Sequence, residues 1–213
     1  MALAPVLPVW LCPLPGPLYT VLLGYKEAPA LEARTRFASI VRTLFADYLH
    51  AHASCLAAAA GGAPQIVLPV PSSLRPGGSP LAGVDGLAPA VEAALPGARW
   101  WPQLVVRTGA PIGHMHPSAR AFAVAPPLHR TVAGRRVVLL DDTYVSGSRA
   151  QSTAASLRRA GARSVVIVVL GRVLRPDRVP AHADFLGALR RADALDDVAR
   201  PCGRCVQTAA PTE

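Results

Sequence analysis

The sequence predicts an α/β fold, a central and mainly parallel β-sheet with helices packed on both faces. Three observations predict it. Val137-Val138-Leu139-Leu140 and Ser164-Val165-Val166-Ile167-Val168-Val169-Leu170 are short apolar runs, separated by a helical stretch over residues 149–160. Unbroken runs of this length suit strands buried on both faces, as parallel strands are. A third run, Gln65-Ile66-Val67-Leu68-Pro69-Val70, opens into a turn rich in Pro, Ser and Gly and so repeats the passage from strand to loop. Finally, Phe37, Ile40, Val41, Leu44, Phe45, Tyr48 and Leu49 fall at three- and four-residue spacing, the pattern of an amphipathic helix over residues 31–60 that Gly61-Gly62 ends.

Taken in order, residues 1–30 read as an irregular, proline-rich segment in which Leu18 to Leu23 offer the one strand or helical turn. Tyr25-Lys26-Glu27 follows, just ahead of the long helix. After the strand at residues 65–70 and the turn at residues 71–80, a helix is expected over residues 81–95 with Pro89 as an interruption. Residues 100–106 read as a strand whose Trp100 and Trp101 serve packing rather than base stacking. Residues 107–135 show no periodicity, and a loop of this length inside a compact domain is usually functional or mobile. The next strand begins at Arg136, its helix ends with Gly161 as the C-cap, and its partner strand ends at Leu170. A link over residues 172–180 then leads to a short helix over residues 183–191 and a tail carrying Cys202-Gly203-Arg204-Cys205. The length suits one domain over residues 1–213.

Chemistry concentrates where the strand from Arg136 ends. Asp141 and Asp142 stand side by side at that end, which in open α/β sheets is where ligands bind. Thr143-Tyr144-Val145-Ser146-Gly147-Ser148-Arg149 follows, supplying hydroxyls and a glycine able to take unusual φ/ψ. Backbone N–H groups in such a turn converge on an anion, and the N-terminus of the next helix adds its dipole. The plain alternative is a doubly wound domain whose aspartates form a solvated strand end, as in receiver domains.

A hydrophobic strand, Asp141-Asp142, three residues and then Ser146-Gly147 resembles the 5-phosphoribosyl-1-pyrophosphate (PRPP) binding motif of type I phosphoribosyltransferases. Within that superfamily the chain looks most like the ComF-type, competence-associated proteins, which are often described loosely as amidophosphoribosyltransferases. The resemblance implies the type I phosphoribosyltransferase fold with a small variable hood. It implies that Asp141 and Asp142 hold the ribose hydroxyls and Mg²⁺, while the loop from Thr143 to Arg149 wraps the 5′-phosphate. By position, Ser72, Ser73 and Arg75 match the pyrophosphate loop, although an ordinary turn has the same composition. Arg107 and Arg120 are further pyrophosphate contacts, and residues 107–135 become a lid that closes over PRPP. Lys26 reaches the same pyrophosphate or is a plain surface lysine ahead of a helix. Residues 1–30, the C-terminal stretch or both supply the hood. Two positions depart from the family pattern: Val145 stands where a hydroxyl residue is common, and Arg149 where Thr is common. The implied activity is transfer of phosphoribosyl from PRPP to an unidentified acceptor with release of pyrophosphate, with a non-catalytic PRPP or nucleotide sensor and a ComF-like DNA-handling protein as alternatives. ComF relatives usually carry an N-terminal zinc finger, and this chain does not.

Composition bounds the partners. The net charge of +9 favours anionic ones, and a phosphorylated substrate satisfies it as well as nucleic acid does. Lys26 is the single lysine; every other basic residue counted is arginine. Aromatic content of 5% argues against a single-strand stacking platform. No run approaches the roughly 18 apolar residues of a membrane span, despite a mean hydropathy of +0.31. Residues 1–10 lack the basic start of a signal peptide, so the expected location is the cytoplasm. A homodimer is left open. Cys202 and Cys205 offer two ligands for a structural Zn²⁺, which needs four, so Cys12, His182 or another subunit would have to contribute the rest; reduced tail thiols are the alternative reading. His114 and His116 form a weaker candidate metal pair.

Overall fold

The computed structural model describes residues 3–72, 78–113 and 116–191. In chain order it contains β1 (Val6–Pro13), α1 (Pro17–Glu27), α2 (Leu31–Ala51), α3 (Ala53–Ala60) and β2 (Ile66–Pro69). A 3-10 turn at Pro80–Gly83 leads to α4 (Leu87–Ala94), β3 (Arg99–Trp100), β4 (Val105–Arg107) and β5 (Phe122–Val124). A second 3-10 turn at Pro126–Leu128 precedes α5 (His129–Val132), β6 (Arg136–Tyr144), α6 (Ser148–Arg159), β7 (Ser164–Leu174) and α7 (Pro180–Arg191).

Five strands form one sheet in the order β1-β7-β6-β2-β3, and every neighbouring pair is parallel. The expected α/β architecture is the one observed. The two apolar runs that predicted it, β6 and β7, lie inside the sheet with Val137 to Leu140 and Val166 to Leu170 fully buried. One face, carrying Val138, Leu140, Val166 and Val168, packs against Leu22, Val41, Phe45, Leu56 and Val91 of α1 to α4. The other, carrying Val137, Leu139 and Ile167, packs against Ala150, Ala154 and Leu157 of α6 and Phe122 of the β4–β5 ribbon.

That second layer is thin because α6 is made of small residues. Nine of its residues are buried, including Ser152, Thr153 and Ser156. Buried hydroxyls need partners, and these donate to their own helix: Ser152 Oγ to Ser148 O at 2.6 Å, Thr153 Oγ1 to Arg149 O at 3.0 Å and Ser156 Oγ to Thr153 O at 2.8 Å. Such back-bonding satisfies a polar helix without outside help.

Several expectations are corrected. The segment expected to be irregular, residues 1–30, holds the edge strand β1 and helix α1 within its described part, residues 3–30. A proline-rich strand is tolerated there because β1 pairs on one side only, with β7, so Pro8 is required to donate no ladder hydrogen bond on its free side. Ahead of it, Gln151 of α6 grips Ala4, accepting from its N–H at 2.8 Å and donating to its carbonyl at 3.0 Å. The long amphipathic helix breaks at His52 into α2 and α3. The helix expected over residues 81–95 is interrupted before Pro89, at Gly86 with φ +73°. Pro89 itself lies in the first turn of α4, where no intrahelical donor is needed. Residues 100–106 divide between two sheets: β3 pairs with β2, whereas β4 pairs antiparallel with β5. The segment from residue 107 to 135 thus holds structure that apolar periodicity could not reveal, since strands of three residues and one helical turn are too short to show a period. Ser118 N–H donates to Ser152 Oγ at 2.8 Å and Arg159 donates to Ala119 O at 2.6 Å, tying this segment to α6. Strands β6 and β7 run on to Tyr144 and Leu174. Gly161 takes φ +90° one residue beyond the C-cap, Ala160.

Candidate functional site

The site lies at the carboxyl ends of β6 and β2. Because side chains alternate along a strand, Asp141 leaves β6 toward α6 with Leu139, and Asp142 leaves toward α1 with Leu140. Both are buried, 7% and 5% exposed.

Asp142 is fully engaged by the end of α1. Tyr25 hydroxyl donates to its Oδ2, and Lys26 Nζ lies 2.8 Å from its Oδ1. Among the described residues no side chain grips Asp141 in this way. Burial pushes its carboxyl up to about 7, and the neighbouring Asp142 charge adds to the rise; Arg149, Lys26 and a backbone hydrogen bond from Asp142 oppose it. Desolvation disfavours the charged carboxylate, and here it outweighs the opposing cations.

The turn after β6 is built around Gly147, whose φ of +73° favours glycine. A side chain there would also run into the Tyr144 ring beneath the turn. That ring is held in turn by the Arg172 guanidinium, 4.8 Å from its centroid, on the neighbouring strand. Ser148 opens α6, with its N–H donating to Ser146 Oγ at 3.4 Å and the two hydroxyls 3.2 Å apart. Val145 projects from the turn and is 49% exposed.

Three clefts meet here. The first, about 450 Å³, is lined by Asp141, Thr143, the turn from Val145 to Arg149, Ala150, Arg107, Ile112 and Gly113. The second, about 210 Å³, is lined by both aspartates, Lys26, Glu27, Ser72, Ser79 and Arg149 among others. The third, about 270 Å³, runs between Ser72 and Ser79 on one wall and Gln103, Val106 and Arg107 on the other. The fold therefore brings Lys26, Ser72, Arg107, Asp141, Asp142 and the loop from Thr143 to Arg149 to one place. Arg120 is not among the residues lining these clefts; its carbonyl accepts from the Thr108 hydroxyl. Ser73, Arg75, His114, Cys202 and Cys205 lie outside the described residues. Of the two residues named as further zinc ligands, Cys12 is wholly buried with its thiol pushed up to about 11 by desolvation. His182 Nδ1 accepts from Arg175 N–H at 3.0 Å. Among the described residues no helix is long and apolar enough to cross a membrane.

Tyr25, Glu27 and Ser79 are site residues that sequence reasoning passed over. Successive residues on a helix diverge by about 100°, so Tyr25 and Lys26 gave no reason to expect one shared carboxylate. Ser79 read as turn composition; its hydroxyl accepts from Leu81 N–H at 3.3 Å and starts the 3-10 turn.

No family model matches the chain, and no curated protein matches it. Among solved structures, it is similar to that of the allosteric regulatory enzyme of purine biosynthesis, with 20% identity and a TM-score of 0.34 over 58% of this chain. The chain spans a quarter of that protein's length, covering 25% of it. A likeness of this size assigns neither an activity nor a site residue.

Proposed function

We propose that the protein binds PRPP and transfers its phosphoribosyl group to an unidentified acceptor, with release of pyrophosphate. One observation carries this reading: an acidic pair at the end of a buried parallel strand runs directly into a glycine-hinged turn at a helix N-terminus, between Arg107 and Arg149. Asp141 accepts hydrogen bonds from the ribose hydroxyls. The turn from Thr143 to Arg149 takes the 5′-phosphate on backbone N–H groups and hydroxyls, with the helix dipole contributing about 0.3–1 kcal/mol. Ser72 and Arg107 face the diphosphate. In the reaction the bond from ribose C1 to the diphosphate oxygen breaks with its electron pair leaving on pyrophosphate, and an acceptor lone pair forms the new bond at C1. The acceptor's proton goes to solvent. Such chemistry asks the protein to position and neutralise rather than to supply a strong base.

The family resemblance brings Mg²⁺ with it. The carboxylates here do not fit such an ion: Mg²⁺ is held by one or two ionised carboxylates together with substrate phosphates and waters, whereas both oxygens of Asp142 already accept from Tyr25 and Lys26 and burial holds Asp141 toward its neutral form. Among the described residues no group of three His, Cys, Asp or Glu side chains is placed to hold a metal. No step above is routed through the ion.

A second reading, a non-catalytic PRPP or nucleotide sensor, is favoured by Val145, an exposed apolar residue in the phosphate turn. The ComF-type assignment rests on the sequence resemblance alone. Isothermal titration with PRPP, alongside the Asp141→Asn/Asp142→Asn double variant, tests binding. Saturable heat lost in the variant supports the site, and pyrophosphate release with a panel of acceptors then separates transferase from sensor. Folded wild type that takes up no PRPP would falsify both readings.

A further inference from the structure

Building on the phosphoribosyl reading, we propose that Lys26 is the built-in cation of this site, bridging Asp142 to a phosphate of the bound ligand so that binding requires no divalent metal.

Asp142 and a phosphorylated ligand are both anionic, and something positive has to stand between them. Lys26 stands there. Its ammonium lies 2.8 Å from Asp142 Oδ1 and its side chain is 17% exposed, so it touches the carboxylate and still borders the second cleft. An ammonium has three donors, enough to hold a carboxylate and reach a phosphate oxygen together. Tyr25 takes the other oxygen of Asp142 and fixes the carboxylate facing α1. Helix α1 packs closely on α2 here: Gly24 lies so close to the Phe37 ring that a side chain there would collide with it.

Residue choice supports the same role. This chain uses arginine at every other basic position counted, yet has its single lysine here. A planar guanidinium fork pairs with one carboxylate edge, whereas a compact point charge on a flexible stem can be shared between two anions.

The test titrates wild type with PRPP and with ribose 5-phosphate, each in EDTA and in Mg²⁺. Binding within about threefold in the two buffers is expected. Lys26→Met is expected to lose roughly tenfold or more in EDTA and to recover with Mg²⁺, because removing the ammonium opens the carboxylate to an ion. Wild-type binding that vanishes in EDTA overturns the proposal and needs no folded variant to do so. A Lys26→Met protein that binds like wild type in EDTA overturns it too. If neither ligand binds in either buffer, the phosphoribosyl reading itself fails and this inference goes with it.

Discussion

Asp141 and Asp142 are neighbours in sequence, but the sheet sends them to opposite faces and the two faces treat them differently. On the α1 side, Asp142 is gripped by a tyrosine hydroxyl and an ammonium. On the α6 side, Asp141 borders two clefts and is held toward its neutral form by burial. Both line the second cleft, but Asp142 is tied into the fold through α1, whereas Asp141 borders a further cleft and is buried at a cost to the fold. Identical side chains at adjacent positions thus do unlike work, and the pleat of β6 is what separates them.

The largest expected effect breaks the closed side. Asp142→Ala leaves Lys26 beside a buried gap and removes the carboxylate to which Tyr25 donates. Breaking a buried pair costs about 3–5 kcal/mol, and the low end, about 3 kcal/mol, is expected because Lys26 can still reach water. Urea unfolding measures it; a loss below about 1 kcal/mol would mean that α1 is held by its apolar face alone. The next effect breaks the open side. Gly147→Ala forces a side chain into φ +73° and into the Tyr144 ring. An unfavoured backbone conformation costs about 1–3 kcal/mol, so a loss near 2 kcal/mol is expected together with loss of PRPP binding. An unchanged affinity would show that the turn does not receive the phosphate.

The same contrast separates what could be read in the sequence from what could not. The open side was legible because its signals are local: an apolar run, two acids, a glycine and a helix follow one another between Arg136 and Arg159. So was the central sheet, since β6 and β7 are continuous apolar runs. The closed side depends on a contact between Asp142 and Tyr25, 117 positions apart, and no local pattern announces it. Edge strand β1 was hidden for a related reason. Its prolines are compatible with a strand only because one flank is unpaired, and that is a fact about the sheet, not about residues 6–13. The β4–β5 ribbon escaped because each strand has three residues, shorter than any period that could mark it.

The smallest effect sharpens the contrast at Asp141. In the folded chain its carboxyl keeps a proton to about 7, against 3.8 for the unperturbed group. Between these values the folded state binds more protons than the unfolded one, so stability falls as pH rises. This contribution is full below about 3.8 and is lost as pH passes through about 7. Asp141→Asn removes the titration. The variant should match wild type near pH 4 and unfold at a temperature higher by a few degrees at pH 8, at roughly 2–4 °C per kcal/mol for a chain of this size. Melting curves at the two pH values check it, and equal melting temperatures at pH 8 would mean that burial does not strain this carboxyl. The same substitution should weaken PRPP binding, because an amide presents one acceptor oxygen where an ionised carboxylate presents two. A gain in stability coupled to a loss of binding is the mark of a residue kept for its ligand. Asp142→Ala moves stability the other way, so the two variants together test whether the strand end is divided between an anchor and a receptor.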